Sequence, residues 1–167
     1  MTDLTRWEAC ARIASPWAPR TAIAAKYIRA GESVCDLGAG DQTLRKMLSA
    51  RCSYLPVDCV NVHPGTFVVD FNRECRVPHA DVYVALGLLE YLDDVPLFLR
   101  RLSTCAPYKL LLFSYAWAPA GEERACAGWT GTGFASMEDA ALYFGQFLRD
   151  VRVLETISGQ MFASGTL

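Results

Sequence analysis

Apolar and polar positions along the chain fall into short runs whose period changes from helical to extended and back. Leu4, Trp7 and Ala11 recur at helical spacing behind Thr2 and Asp3, either of which can cap, so residues 2–14 predict a helix. Pro16 and Pro19 interrupt it, and residues 20–30 predict a second helix with Ile23, Tyr27 and Ala30 on one face and Gly31 as its stop. Ser33-Val34-Cys35-Asp36 then reads as a buried strand ending in an acid, and Leu44, Met47 and Leu48 mark a short helix that ends before Arg51. A second strand over residues 53–57 finishes at Asp58. Pro64-Gly65 signals a turn before a third strand, 66–69.

The apolar runs at residues 81–86 and 109–115 predict the fourth and fifth strands. Asp93, Asp94 and Pro96 start a helix through Leu97, Leu99 and Leu102 between them. Residues 116–135 are irregular, with Pro119, four glycines, Trp117 and Trp129, and read as a loop over the carboxyl edge of the sheet. Ser136 with Asp139 forms a capping box for a helix to about Leu148. Two alternating runs, 151–157 and 160–163, flank Ser158-Gly159 as a hairpin. Strands alternating with helices and closing on a hairpin predict an α/β fold: a mostly parallel sheet with one antiparallel strand. Right-handed crossovers bring the acidic strand ends to one crevice at the carboxyl edge.

Composition narrows the function classes. With 167 residues and 52% hydrophobic content the chain can bury one core, which predicts a single domain. A net charge of −2 leaves no basic footprint, so no nucleic-acid partner is expected. No leader-like N-terminal pattern and no run of the ~18 apolar residues a membrane span needs is seen, so no membrane partner is expected. The seven cysteines are irregularly spaced and include no C-x-x-C pair, which predicts free thiols, a cytoplasmic protein and no metal site.

The chemistry concentrates in the turn that follows Asp36. Gly38 and Gly40 let a ligand approach the backbone, and the next helix aims its first amides at that ligand. A dinucleotide site would want a third glycine at position 43, which is Thr43, and Asp36 is unwelcome beside a phosphate. A ligand with ribose, adenine and a cationic group but no phosphate fits better, and S-adenosylmethionine is such a ligand. Asp58 stands at a strand end about 20 residues past the turn, where a carboxylate can accept from both ribose hydroxyls.

The turn resembles the first motif, D-x-G-x-G-x, of class I S-adenosylmethionine-dependent methyltransferases, with Gln42 where the family's third glycine often lies. Asp70-Phe71 is similar to the family's adenine pocket, and Leu86-Gly87-Leu88-Leu89-Glu90-Tyr91 resembles its fourth motif, with Tyr91 in place of a common histidine and Gly87 in place of an acid or amide. The resemblance implies a Rossmann-like sheet of seven strands with helices on both faces over residues 33–167, and an N-terminal helical lid over residues 1–30. It implies S-adenosyl-L-methionine as cofactor, held by Asp36, Gly38, Ala39, Gly40, Gln42, Asp58, Cys59, Asp70, Phe71, Leu86 and Leu88.

Tyr91, Tyr115 and Trp117 are candidates for an acceptor pocket, with packing as the alternative for each. No catalytic residue is assigned, since His63 and His79 fall away from the expected position of the methyl group. The expected activity is methyl transfer to a small-molecule acceptor, with oxygen as the atom methylated. Short segments are similar to those of bacterial enzymes of glycan or secondary-metabolite pathways. Two alternatives stay open: a non-catalytic member of the same fold that binds cofactor or a protein partner, and a nicotinamide-dependent oxidoreductase domain.

Overall fold

The computed structural model describes residues 2–13, 18–116, 133–157 and 159–167. Among these residues seven strands form one sheet in the order β3-β2-β1-β4-β5-β7-β6. The strands are β1 Ser33–Leu37, β2 Ser53–Asp58, β3 Phe67–Val68, β4 Val82–Leu86, β5 Leu110–Ala116, β6 Arg149–Ile157 and β7 Gln160–Thr166. The first five pair in parallel, and β7 joins β5 and β6 in antiparallel register, Ala116 opposite Gln160. The expected mostly parallel sheet with a terminal hairpin is therefore present.

Pleating explains why β1, β4 and β5 read as unbroken apolar runs. Cys35, Leu37, Tyr83, Ala85, Leu111 and Phe113 enter a core on one face, while Val34, Val82, Val84 and Leu112 enter a second core on the other. The first core is packed by α4 (Val95–Cys105) and α5 (Met137–Phe144), and the second by α2 (Ala18–Lys26) and α3 (Thr43–Met47). Asp94 caps α4 by accepting from Leu97 N, and Ser136 caps α5 by accepting from Asp139 N. No helix among the described residues is long and apolar enough to cross a membrane.

Several boundaries differ from expectation. Helix α1 (Leu4–Ala11) is shorter than residues 2–14 and is capped by Asp3, which accepts from Arg6 N. Helix α2 stops at Lys26, because Tyr27 and Ile28 bond back only three residues to Ala24 O and Ala25 O, and Gly31 turns the chain five residues later at φ 99°. Helix α5 ends at Phe144, not near Leu148, and residues 145–148 turn the chain into β6 at Arg149. Strand β3 shrinks to two residues. No helix stands between β2 and β3 or between β3 and β4, segments whose residues are all described. The glycine-rich loop expected over residues 116–135, Trp117 included, lies mostly outside the described residues.

Candidate functional site

The sheet order reverses between β1 and β4, and the carboxyl ends of the parallel strands meet there in a crevice. A cavity of about 420 Å³ opens at that point, within the usual range for a small-molecule site. The turn after β1 forms its floor. Gly38 N and Ala39 N both donate to Val57 O, at 2.8 and 3.1 Å, and Gly40 N donates to Asp58 Oδ2 at 2.9 Å. Gly38 and Gly40 hold φ of 74° and 51°, which no side chain adopts without strain, although a Cβ on Gly38 would meet Leu88 only at ordinary van der Waals distance.

Three acids ring this turn. Asp36 is 5% exposed and its Oδ2 accepts from the Tyr54 hydroxyl at 2.6 Å. Burial pushes its carboxyl up to about 7, reinforced by Asp58 and Asp41 and opposed by the Tyr54 bond and Arg20. Asp58 also accepts from Val60 N through Oδ1. Asp70 Oδ1 accepts from Asn72 N and from the Thr2 hydroxyl, at 3.1 and 2.9 Å. Cys59 lines the same wall, its thiol pushed up to about 12 by burial and by Asp58.

Ten of the eleven residues expected at the cofactor line the cavity: Asp36, Gly38, Ala39, Gly40, Asp58, Cys59, Asp70, Phe71, Leu86 and Leu88. Gln42 does not. It takes the left-handed conformation, φ 55°, that a third glycine would adopt more easily, and its Nε2 donates to Thr66 Oγ1 at 3.3 Å. Thr66 in turn donates to His63 O. Gln42 therefore braces the turn from behind. Of the acceptor candidates, Tyr91 lines the cavity and Tyr115 does not. Tyr115 is 2% exposed and packs against Phe134 and Phe144 at 5.5 and 5.3 Å, a core position. Trp117 lies outside the described residues.

Helix α1 closes one side. Thr2, Arg6, Trp7, Cys10 and Ala11 line the cavity. Trp7 meets Tyr91 edge to face at 4.7 Å, and the Arg6 guanidinium lies 5.0 Å from the Trp7 ring and 5.3 Å from the Tyr91 ring. His63 Nε2 reaches Ala11 O at 2.9 Å, tying the end of α1 to the loop after β2. Cys52 donates to Arg29 O, and no three metal-ligating side chains gather among the described residues.

One cavity residue was not anticipated from sequence. Arg20, on α2, lines the cavity, with Nη1 donating to Gln160 Oε1 at 2.8 Å and Nη2 donating to Leu86 O at 3.3 Å. Its partners lie 66 and 140 positions away, so no local pattern announces it. Glu90 is fully enclosed. Its Oε1 accepts from Ala116 N at 2.8 Å, its Oε2 has no hydrogen-bond partner, and burial raises its pKa above the ordinary carboxylate range.

No protein-family model matches the chain, and no curated protein matches it. Solved structures do match its fold. CalO1, a methyltransferase in calicheamicin biosynthesis in its SAH-bound form, superposes with a TM-score of 0.62 at 24% identity, over 89% of this chain and 53% of that one. Human N-acetylserotonin methyltransferase in complex with SAM gives 0.65 at 16% identity, over 98% of this chain and 55% of that one. A SAM-dependent methyltransferase from Aquifex aeolicus gives 0.64 at 16% identity, with 99% of both chains covered. The chain thus spans about half the length of the first two and all but the full length of the third. It has the Rossmann-like fold of class I methyltransferases.

Proposed function

We propose that the protein transfers a methyl group from S-adenosylmethionine to a small-molecule acceptor, with oxygen as the methylated atom. One observation carries this reading. The two-glycine turn is fastened to β2 through Val57 and Asp58, and it is ringed by the carboxyl groups of Asp36, Asp58 and Asp70, at the switch point of the sheet. That set of acceptors suits ribose hydroxyls, an exocyclic amine and an ammonium, and it repels a pyrophosphate.

Asp58 would accept from the ribose, Asp70 from the adenine amine beside Phe71, and Asp36 would face the amino group of the methionine part. A carboxylate offers about four lone-pair sites, so the bonds Asp58 and Asp70 already accept leave room for these. The sulfonium of the bound cofactor supplies an already activated methyl group, so the chain's task is alignment rather than acid–base chemistry. The structural neighbours named for calicheamicin biosynthesis and for N-acetylserotonin support a small acceptor of natural-product type. A cytoplasmic setting is supported by free thiols at all six described cysteines.

Calorimetric titration with S-adenosylmethionine, S-adenosylhomocysteine and NAD tests this. Binding of the first two and not the third is the expected result. NAD binding alone would return the turn to a dinucleotide role, and binding of none would remove the assignment.

A further inference from the structure

Two thiols meet away from the cavity, where the loop that follows β3 runs past the end of α4. Cys75 lies in that loop and Cys105 is the last residue of α4. The Cys105 thiol donates to Cys75 O at 3.1 Å, and the two thiols lie within interacting distance of each other. Neither is in a disulfide; Cys105 is exposed and Cys75 half-buried. They open onto a surface cleft of about 380 Å³ that Arg73, Glu74, Arg101 and Thr104 complete.

The loop is already seated on α4 around this pair. Arg101 Nη1 donates to Arg73 O at 3.2 Å, the rings of Phe71 and Phe98 meet at 5.2 Å, and Val77 packs against the first core. Rotation of the two cysteine side chains therefore suffices to bring sulfur to sulfur, with no segment to unfold first. Cys105, the exposed member, meets a solvent-borne reagent first. Burial and the Cys105 thiol push the Cys75 thiol up to about 12, with Arg101 opposing. Cys75 therefore suits the second, intramolecular step, where proximity offsets a scarce thiolate.

We propose that Cys75 and Cys105 form a reversible disulfide, made by exchange with a small-molecule disulfide of the glutathione disulfide class. The Cys105 thiolate attacks one sulfur of the reagent, the reagent's S–S bond breaks, and one glutathione leaves and takes up a proton. The Cys75 thiolate then attacks the Cys105 sulfur of the mixed disulfide and expels the second glutathione. The chain loses two electrons and two protons, and the reagent gains both as two thiols. The cysteines are 30 positions apart, so the bond closes a long loop and clasps the segment after β3 to α4. That segment includes Asp70, Phe71 and Asn72, which line the cavity, so the clasp ties the cavity wall to the thiol–disulfide state of the surroundings. Nothing in this chemistry requires a bound cofactor.

The test treats the whole protein with excess glutathione disulfide at about pH 8, blocks the remaining thiols with iodoacetamide, and digests with trypsin without reductant. Peptides 74–76 and 102–109 are expected joined in wild type and separated by dithiothreitol. The oxidised protein should melt several degrees higher than the reduced one, and trypsin should cut the folded chain after Arg73 and Arg76 about tenfold more slowly. Cys75→Ser should leave glutathione fixed on Cys105, while Cys105→Ser should leave Cys75 a free thiol. Melting curves identify a variant that fails to fold, and the wild-type peptide map stands without one. Glutathione retained on Cys105 in wild type, a link between Cys35 and Cys75, or recovery of both Cys75 and Cys105 as alkylated thiols would overturn the proposal. A joined pair with unchanged melting and cleavage would also overturn it, since the loop would then not be held.

Discussion

Asp36 couples stability and ligand binding in opposite directions. Its folded pKa of about 7 lies above the ordinary 3.8, so between about pH 4 and pH 7 the folded protein keeps a proton that the unfolded chain has lost. Its contribution therefore destabilises progressively as pH rises through that window and levels off above pH 7. A ligand ammonium favours the ionised carboxylate, so affinity runs the other way. Affinity for S-adenosylhomocysteine should rise between pH 5.5 and 7, by up to about tenfold per pH unit, and then flatten. Asp36→Asn should erase this slope, bind more weakly at pH 8, and melt higher there. Calorimetry across pH with parallel melting curves checks all three, and an unchanged slope in the variant would remove Asp36 from the ligand.

Asp58→Ala differs in kind, because its carboxylate both braces Gly40 N and faces the cavity. Hydrogen bonds to a charged group contribute about 1.5–3 kcal/mol, so the variant should bind S-adenosylmethionine roughly tenfold to a hundredfold more weakly, measured by calorimetry. The placement of Asp36, Asp58 and the glycines at the cavity was legible in sequence because each sits in a contiguous turn or at a strand end. Arg20 was not. Its meaning depends on Gln160 and on an absent side chain at Gly87, and nothing within one helical turn of Arg20 signals either.

Helix α1 lines one side of the cavity, and we propose that it covers the bound ligand. It contributes one buried residue of its own, Ala11, and is held by side-chain contacts at discrete points: Thr2 on Asp70, Trp7 on Tyr91, and His63 on Ala11 O. An edge-to-face aromatic pair is worth about 0.5–1.5 kcal/mol beyond its burial. Trp7→Ala should therefore weaken S-adenosylhomocysteine binding roughly threefold to tenfold, with faster dissociation, while shifting the melting temperature little. Stopped-flow displacement measures the dissociation, and an unchanged rate would show that α1 does not retain the ligand. The helix was legible from the spacing of Leu4, Trp7 and Ala11. Its far attachment points were not, since apolar spacing says which face is buried and not against what. Similarly, the premature end of α2 comes from backbone bonds of Tyr27 and Ile28, residues whose side chains fit the helical period.

At the scale of the molecule, one sheet separates a large core from a small one, and the cavity belongs to the sheet's carboxyl edge rather than to either. The long apolar strands were legible because residues buried on both faces leave continuous runs. The division between cores was not, because alternating apolar residues look alike until helices cover each face. Phe144 lies deep in the large core, with the rings of Phe113, Tyr115, Phe134 and Tyr143 within 4.8 to 6.2 Å, and it does not line the cavity. Replacing it removes several aromatic contacts and leaves a small void. Phe144→Leu should cost about 1–2 kcal/mol of stability and leave the S-adenosylhomocysteine affinity of the folded protein unchanged. Urea unfolding and calorimetry on the same sample separate the two effects. A parallel loss of affinity would mean that the large core sets the cavity's shape through β5, and that stability and ligand binding are not separable in this fold.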